Sequence, residues 1–256
     1  DSTRSFSKEK NADVVHSLQL ISSIATANAW PSNKVKQLCD ILLQLCRSAD
    51  EFMVSSAFEV FDSLFTSING EIDEARFNEV LDVLLGLKPS YNDTHLAPGW
   101  LAVIAKGVTT YSHDVSSISC FMRLPHLFKI IGSYLESQSK DVYVSAAQCL
   151  VAICSDGIDP AILLAPPAND QETYESIERV IDNLSKITND FLSVKFRHCA
   201  KEVAEIMEAL FTSLKFRATN SFDDQLKLIG GWRSDEKEGF DLNDVSERVI
   251  AAAISS

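Results

Sequence analysis

Asp50-Glu51-Phe52-Met53-Val54-Ser55-Ser56-Ala57 and, further along, Asp141-Val142-Tyr143-Val144-Ser145-Ala146-Ala147 share one pattern. Val54 aligns with Val144, Ser55 with Ser145, Ala57 with Ala147, and Val60 with Leu150. Phe196-Arg197-His198-Cys199-Ala200 fills the same slot a third time, with Cys199 as the small residue. On a helix, an apolar residue three positions ahead of a small one has a packing reason. The small side chain lets the two helices of a hairpin approach closely, while the flanking apolar residues fill the groove to the next hairpin. Three such places in one chain indicate a repeated helical hairpin of the HEAT type.

Around these anchors, apolar residues recur at helical spacing. Val14, Leu18, Ile21 and Ile24 predict a helix from about Ala12 to Thr26, after a loose lead-in at 1–10. Trp30-Pro31-Ser32 breaks the chain there, with Ser32 or Asn33 placed as an N-cap. Leu38, Ile41, Leu42 and Leu45 mark the next helix, to about Cys46, and the one from Glu51 to Ser67 ends at Asn69-Gly70. Helices are then expected over Asp73–Leu87, Trp100–Tyr111, Leu124–Leu135, Val142–Cys154, Tyr174–Thr188 and Phe191–Phe216, with a last one starting near Leu242. Residues 156–170, with Pro160, Pro166 and Pro167, and residues 218–241, with Gly230-Gly231, read as inter-helix loops. The expected fold is all-α: a HEAT/armadillo-like α-solenoid of stacked antiparallel helix hairpins, forming a single segment over 1–256. Asp1 in place of Met, and an apolar helical pattern that stops midway at Val249–Ser256, suggest a fragment of a longer chain.

Composition agrees. Apolar residues make up 46% and charged residues 23%, the mixture of a folded chain. Gly 9 and Pro 7 are too few for a β protein with many turns. No run of about 18 uncharged apolar residues exists to span a membrane, and no membrane partner is expected. Cys39, Cys46, Cys120, Cys149, Cys154 and Cys199 fall mostly among apolar helical residues, with no CxxC pair and no histidine at zinc-ligand spacing. They are expected to be buried, reduced thiols of an intracellular protein that bind no metal.

Catalytic patterns are missing. The sequence has no GxxxxGK[ST] or GxGxxG loop for phosphate, no GxSxG elbow and no HExxH helix. His16, His95, His113, His126 and His198 stand far apart, and His113-Asp114 fits a turn better than a catalytic pair. Enzyme activity, a cofactor and a small-molecule substrate are therefore not expected. The net charge of −13 opposes nucleic-acid binding by the chain as a whole, because phosphate contacts need a basic face. It suits basic protein partners. Trp30, Trp100 and Trp232 are read as packing residues.

The candidate binding residues come from the helix expected over Phe191–Phe216. At 100° per residue, Phe196, Cys199, Val203, Met207 and Leu210 turn to one side. Arg197, His198 and Lys201 then share the other, with Lys195 on its edge and Lys215 and Arg217 further along. Glu205 and Glu208 lie on the same face, so a Lys201–Glu205 pair at i,i+4 is the plainer alternative to a binding patch.

The run Trp30-Pro31-Ser32-Asn33-Lys34-Val35-Lys36-Gln37-Leu38-Cys39-Asp40-Ile41-Leu42-Leu43-Gln44-Leu45-Cys46, followed by Phe52 to Phe61, resembles the HEAT-repeat ribosome-biogenesis proteins of the ribosomal-RNA-processing-protein-twelve family. Val194 to Val203 and the terminal Arg248 to Ser256 are similar to it as well. The resemblance implies a nuclear, mainly nucleolar factor, with shuttling to the cytoplasm, that associates with precursor ribosomal subunits in their maturation and export. Its implied partners are protein assembly factors, with precursor ribosomal RNA met through other parts of the full protein; the family brings no catalytic residues. An importin-like nuclear transport receptor, or another adaptor built on the same repeats, is the rival reading.

Overall fold

Asp73 illustrates how helices begin in this chain. Its carboxylate accepts the backbone N–H of Arg76 at 2.9 Å, satisfying one of the amides that a helix start leaves without a partner. Ser116 does the same for Ser119 at 3.3 Å, and Asp170 for Thr173 at 3.4 Å. In this computed structural model, residues 13, 14, 16, 17, 19, 20, 32–67, 72–164, 170–232 and 240–255 are described. Residues 13, 14, 16, 17, 19 and 20 are helical, in the stretch expected to form the first helix; the rest of that stretch lies outside the described residues. So do the lead-in at 1–10, the Trp30-Pro31 break, the Asn69-Gly70 turn and the side chain of Trp232.

The main helices are α1 (Ser32–Leu45), α2 (Glu51–Ser67), α3 (Glu74–Gly86), α4 (Ala97–Thr110), α5 (Ser117–Gly132), α6 (Lys140–Asp156), α7 (Gln171–Phe191), α8 (Ala200–Leu214), α9 (Asp223–Trp232) and α10 (Phe240–Ile254). Among the described residues there is no strand. The expectation of a single segment over 1–256 meets a chain of two compact units, Asp1–Val115 and Ser116–Ser256.

In the first unit, α1 pairs with α2 and α3 with α4, and the second helices of the two hairpins pack on each other. Gly107 of α4 makes this approach close: a Cβ there would stand 3.2 Å from the ring of Phe65. Thr110 donates its hydroxyl to Phe65 O at 3.3 Å, so the C-terminal ends of α2 and α4 lie together and the helices run the same way. Phe61, Phe65, Phe77 and Tyr111 form a continuous row of ring contacts with centroids 5.2–6.0 Å apart. Trp100 is fully buried, as a packing residue should be, and its indole N–H donates to Leu84 O at 2.8 Å.

The second unit repeats the plan with three hairpins, α5/α6, α7/α8 and α9/α10. First helices stack on first helices (α5 on α7, α7 on α9) and second on second (α6 on α8, α8 on α10). Ser213 Oγ donates to Cys154 O at 2.5 Å, which joins the C-terminal ends of α6 and α8. Ala57, Ala147 and Cys199, the small residues of the repeated pattern, are 0%, 2% and 0% exposed.

Several boundaries differ from expectation. α5 starts at Ser117 rather than near Leu124, because Ser116 caps it and Pro125 is carried inside the helix. The expected helix Phe191–Phe216 is instead the end of α7, a 3-10 turn Val194–Cys199, and α8. Phe196 breaks the helical course, with φ −104° and ψ 16°. The expected loop at 218–241 contains a helical turn, Ala218–Ser221, and all of α9. Ala218, Phe222 and Ile229 point inward there, and buried Gln225 donates to Ser185 O at 2.7 Å. The outward-facing charges and Gly230-Gly231 make the stretch polar on average. A helical glycine costs about 1 kcal/mol relative to alanine, which packing here overrides. The expected loop at 156–170 holds a short 3-10 turn, Pro160–Leu163.

Candidate interaction site

The four candidate residues lie on or beside the 3-10 turn Val194–Cys199, and they do not act alike. Because the turn is not α-helical, a projection at 100° per residue does not carry across it. Lys195 forms an ion pair with Glu136 at 2.5 Å and lies 5.4 Å from the centroid of the Phe196 ring. His198 places Nε2 at 2.9 Å from Leu135 O and 3.0 Å from Ser137 O, and meets the Tyr143 ring edge-on at 5.4 Å. Beside it, the buried Cys199 thiol faces Leu135 O at 3.5 Å. Lys195, His198 and Cys199 thus fasten the turn to the connection between α5 and α6. Arg197 and Lys201 are exposed. Lys201 makes no pair with Glu205; Glu208 instead meets Arg248 of α10 at 3.3 Å.

Arg217, expected further along the same face, is buried. Its guanidinium pairs with Glu178, donates from Nε to Leu163 O at 3.1 Å, and stacks 4.3 Å from the centroid of Tyr174. It ties the end of α8 to α7 and to the Pro160–Leu163 turn. The sequence gives little sign of this, because an arginine after an amphipathic run reads as a helix-end cation.

Beside the Val194–Cys199 turn lies a groove of about 550 Å³ that sequence reasoning did not single out. One wall runs along α5 from Pro125 and His126 through Lys129 to Gly132 and on to Glu136 of the following 3-10 turn, Ser133–Glu136; the other is a stripe of α7 from Asn183 and Lys186 to Phe191. Gly132 marks a close approach of the two walls: a Cβ on it would stand 2.5 Å from Phe191 Cζ. The spacing that could have revealed the groove is helical, at i, i+4 and i+7 from Pro125, but it becomes a wall only once α7 is known to pack there.

The six cysteines carry buried thiols. Burial pushes Cys39, Cys46, Cys120 and Cys199 up to about 12, and raises Cys154 as well. Among the described residues, no three His, Cys, Asp or Glu side chains cluster to hold a metal ion, and no helix is long and apolar enough to cross a membrane.

Residues 136–256 match the family model described as Ribosomal RNA-processing protein 12, HEAT repeats. Over 251 residues, 96% of this chain, the sequence is 36% identical to Ribosomal RNA-processing protein 12 of Saccharomyces cerevisiae. The chain spans 20% of the length of that relative. Among solved structures, the crystal structure of an engineered protein superposes with a TM-score of 0.51 at 15% identity, over 94% of this chain and 90% of that one. A computationally designed armadillo repeat protein for modular peptide recognition aligns with a TM-score of 0.47 at 15% identity, over 92% of this chain and 91% of that one. With hairpins stacked first helix on first and second on second, and with the HEAT-repeat model matched over 136–256, the fold is the all-α, HEAT/armadillo-like class expected from the repeated pattern.

Proposed function

We propose, for a chain that belongs to the ribosomal RNA-processing protein 12 family, that it forms part of a non-catalytic HEAT-repeat scaffold for ribosomal RNA processing. In this reading the scaffold associates with precursor ribosomal subunits and supports their maturation and export. It works in the nucleus, mainly the nucleolus, with passage to the cytoplasm. It holds protein assembly factors, while precursor ribosomal RNA is met through other parts of the full protein, in keeping with a net charge of −13 here. It uses no cofactor. The observation that carries the reading is the 36% identity to the yeast protein along 96% of this chain. The fold supports a binding role on physical grounds. Stacked hairpins bury one face of each helix and leave rows of side chains along the others, which is the surface such arrays offer to partners.

Within this surface we assign the partner contact to Arg197, exposed on the Val194–Cys199 turn, and Lys201, exposed in the first turn of α8. Lys195 and His198 hold the turn that carries them. Replacing both contact residues, Arg197→Glu with Lys201→Glu, should reduce co-purification of precursor particles with the full protein at matched expression. Stability should shift within about 0.5 kcal/mol, as for other exposed positions. Recovery should also fall with rising salt, which screens exposed charges over about 10 Å at 0.1 M. Equal recovery of particles by variant and wild type would reduce the two charges to a solvated face.

A further inference from the structure

We propose that the groove between α5 and α7 docks an acidic peptide segment of a partner protein, with an apolar side chain seated on its floor. This goes beyond the scaffold reading and does not depend on it. The direction of the groove follows from two contacts. Gly132 meets Phe191 and Glu136 meets Lys195, so α5 and the chain leaving α7 advance together along it. The wall from Pro125 to Glu136 is about 18 Å long, at about 1.5 Å per residue in α5 and about 2 Å in the 3-10 turn, which is room for about five residues of extended chain.

The charges along that length are not evenly spread. Lys129 and Lys186 project from opposite walls in the half before the Gly132–Phe191 contact, with His126 beside them. All three are exposed, and among the described residues none forms an ion pair. In the other half, the Glu136 carboxylate is taken by Lys195, while Asp190 faces the groove. The apolar part of the lining is Ile187, Phe191 and Phe196, the two phenylalanines largely buried as a floor. On a chain of net charge −13, two lysines on facing walls give this half of the groove a local positive charge. An anionic segment meets attraction there and repulsion over most of the remaining surface. The apolar floor and the Asp190 carboxylate favour a peptide over RNA, since a phosphate backbone needs a continuous basic track. Pairing an apolar anchor with charged flanks is the usual way a peptide gains both affinity and register.

The test uses the full chain and a fluorescein-labelled peptide of glutamates flanking two leucines, read by anisotropy. Three companions are the same peptide with glutamine for glutamate, the same with lysine, and a labelled single-stranded RNA. Wild type should bind the glutamate peptide, with affinity falling as salt rises. Lys129→Glu with Lys186→Glu should lose about tenfold or more in affinity and gain binding to the lysine peptide. Lys88→Glu, exposed in the other unit, should bind as wild type. Circular dichroism confirms that each variant is folded. The proposal is overturned if the glutamate peptide gives no anisotropy change up to about 1 mM, the weak end of specific recognition. Equal binding by wild type and the double variant overturns it too, as does RNA binding that depends on the two lysines more than peptide binding does.

Discussion

Gly132→Ala is the sharpest probe of how closely the first helices of adjacent hairpins approach. The added Cβ would stand 2.5 Å from Phe191 Cζ and 2.6 Å from Cε1. Ordinary contact begins at 3.4 Å, so the ring must retreat by 0.9 Å. It has little room to do so. Phe191 is 4% exposed and lies edge-on to Phe196, 3% exposed, at a centroid distance of 5.5 Å. Overpacking of this kind costs about 1–3 kcal/mol. Replacing a helical glycine with alanine returns up to about 1 kcal/mol through propensity, which would blur the result taken alone. Gly86→Ala provides the control. Gly86 likewise ends its helix, but a Cβ on it meets nothing within 4 Å. Each variant is compared with wild type by urea unfolding. Gly86→Ala should be neutral or stabilising, and Gly132→Ala should be less stable than it by about 1–3 kcal/mol, the packing cost that remains when propensity cancels. Equal shifts for the two would refute the close approach of α5 to Phe191.

Ala147→Leu adds three carbons at a position 2% exposed and should cost about 1–3 kcal/mol, lowering the melting temperature by roughly 2–4 °C per kcal/mol; an unchanged melting curve would mean that the small residue of the repeat is not at a tight contact. For the thiols, an aromatic disulfide reagent at pH 8 should label native protein very slowly and all six cysteines after denaturation, since a thiol near 12 is thiolate in only about one molecule in ten thousand. The sign for stability follows: above about pH 8.5 the unfolded thiols release protons that the folded ones keep, so stability should decline as pH rises from there toward 12. Stability that is flat or rising through that range, or rapid labelling of native protein, would contradict the buried setting.

The repeat was legible because packing writes a short code. Val54 with Ala57, and Val144 with Ala147, recur at one spacing, and both alanines are buried, as the small residue of a helix hairpin should be. Cys199 was found by the same spacing, although it ends a 3-10 turn rather than sitting within a helix. What stayed hidden depends on partners distant in sequence. Nothing near His198 shows that its imidazole reaches the carbonyls of Leu135 and Ser137, more than sixty residues away. Arg217 read as surface charge until Glu178, Tyr174 and Leu163 closed around it. Helix α9 was missed because its inward residues, Gln225 and Ile229, are few and one of them is polar. The groove has no local signature, since each wall alone is an ordinary solvated helix stripe.

The central proposal is that this chain forms part of a scaffold of ribosomal RNA processing. The direct measurement is affinity purification of the tagged full-length protein, with the RNA sequenced and the proteins identified by mass spectrometry. The account predicts enrichment of precursor ribosomal RNA and assembly factors over mature ribosomes. Recovery of Ran-GTP and cargo bearing basic import signals, without precursor RNA, would contradict it and point to a transport receptor.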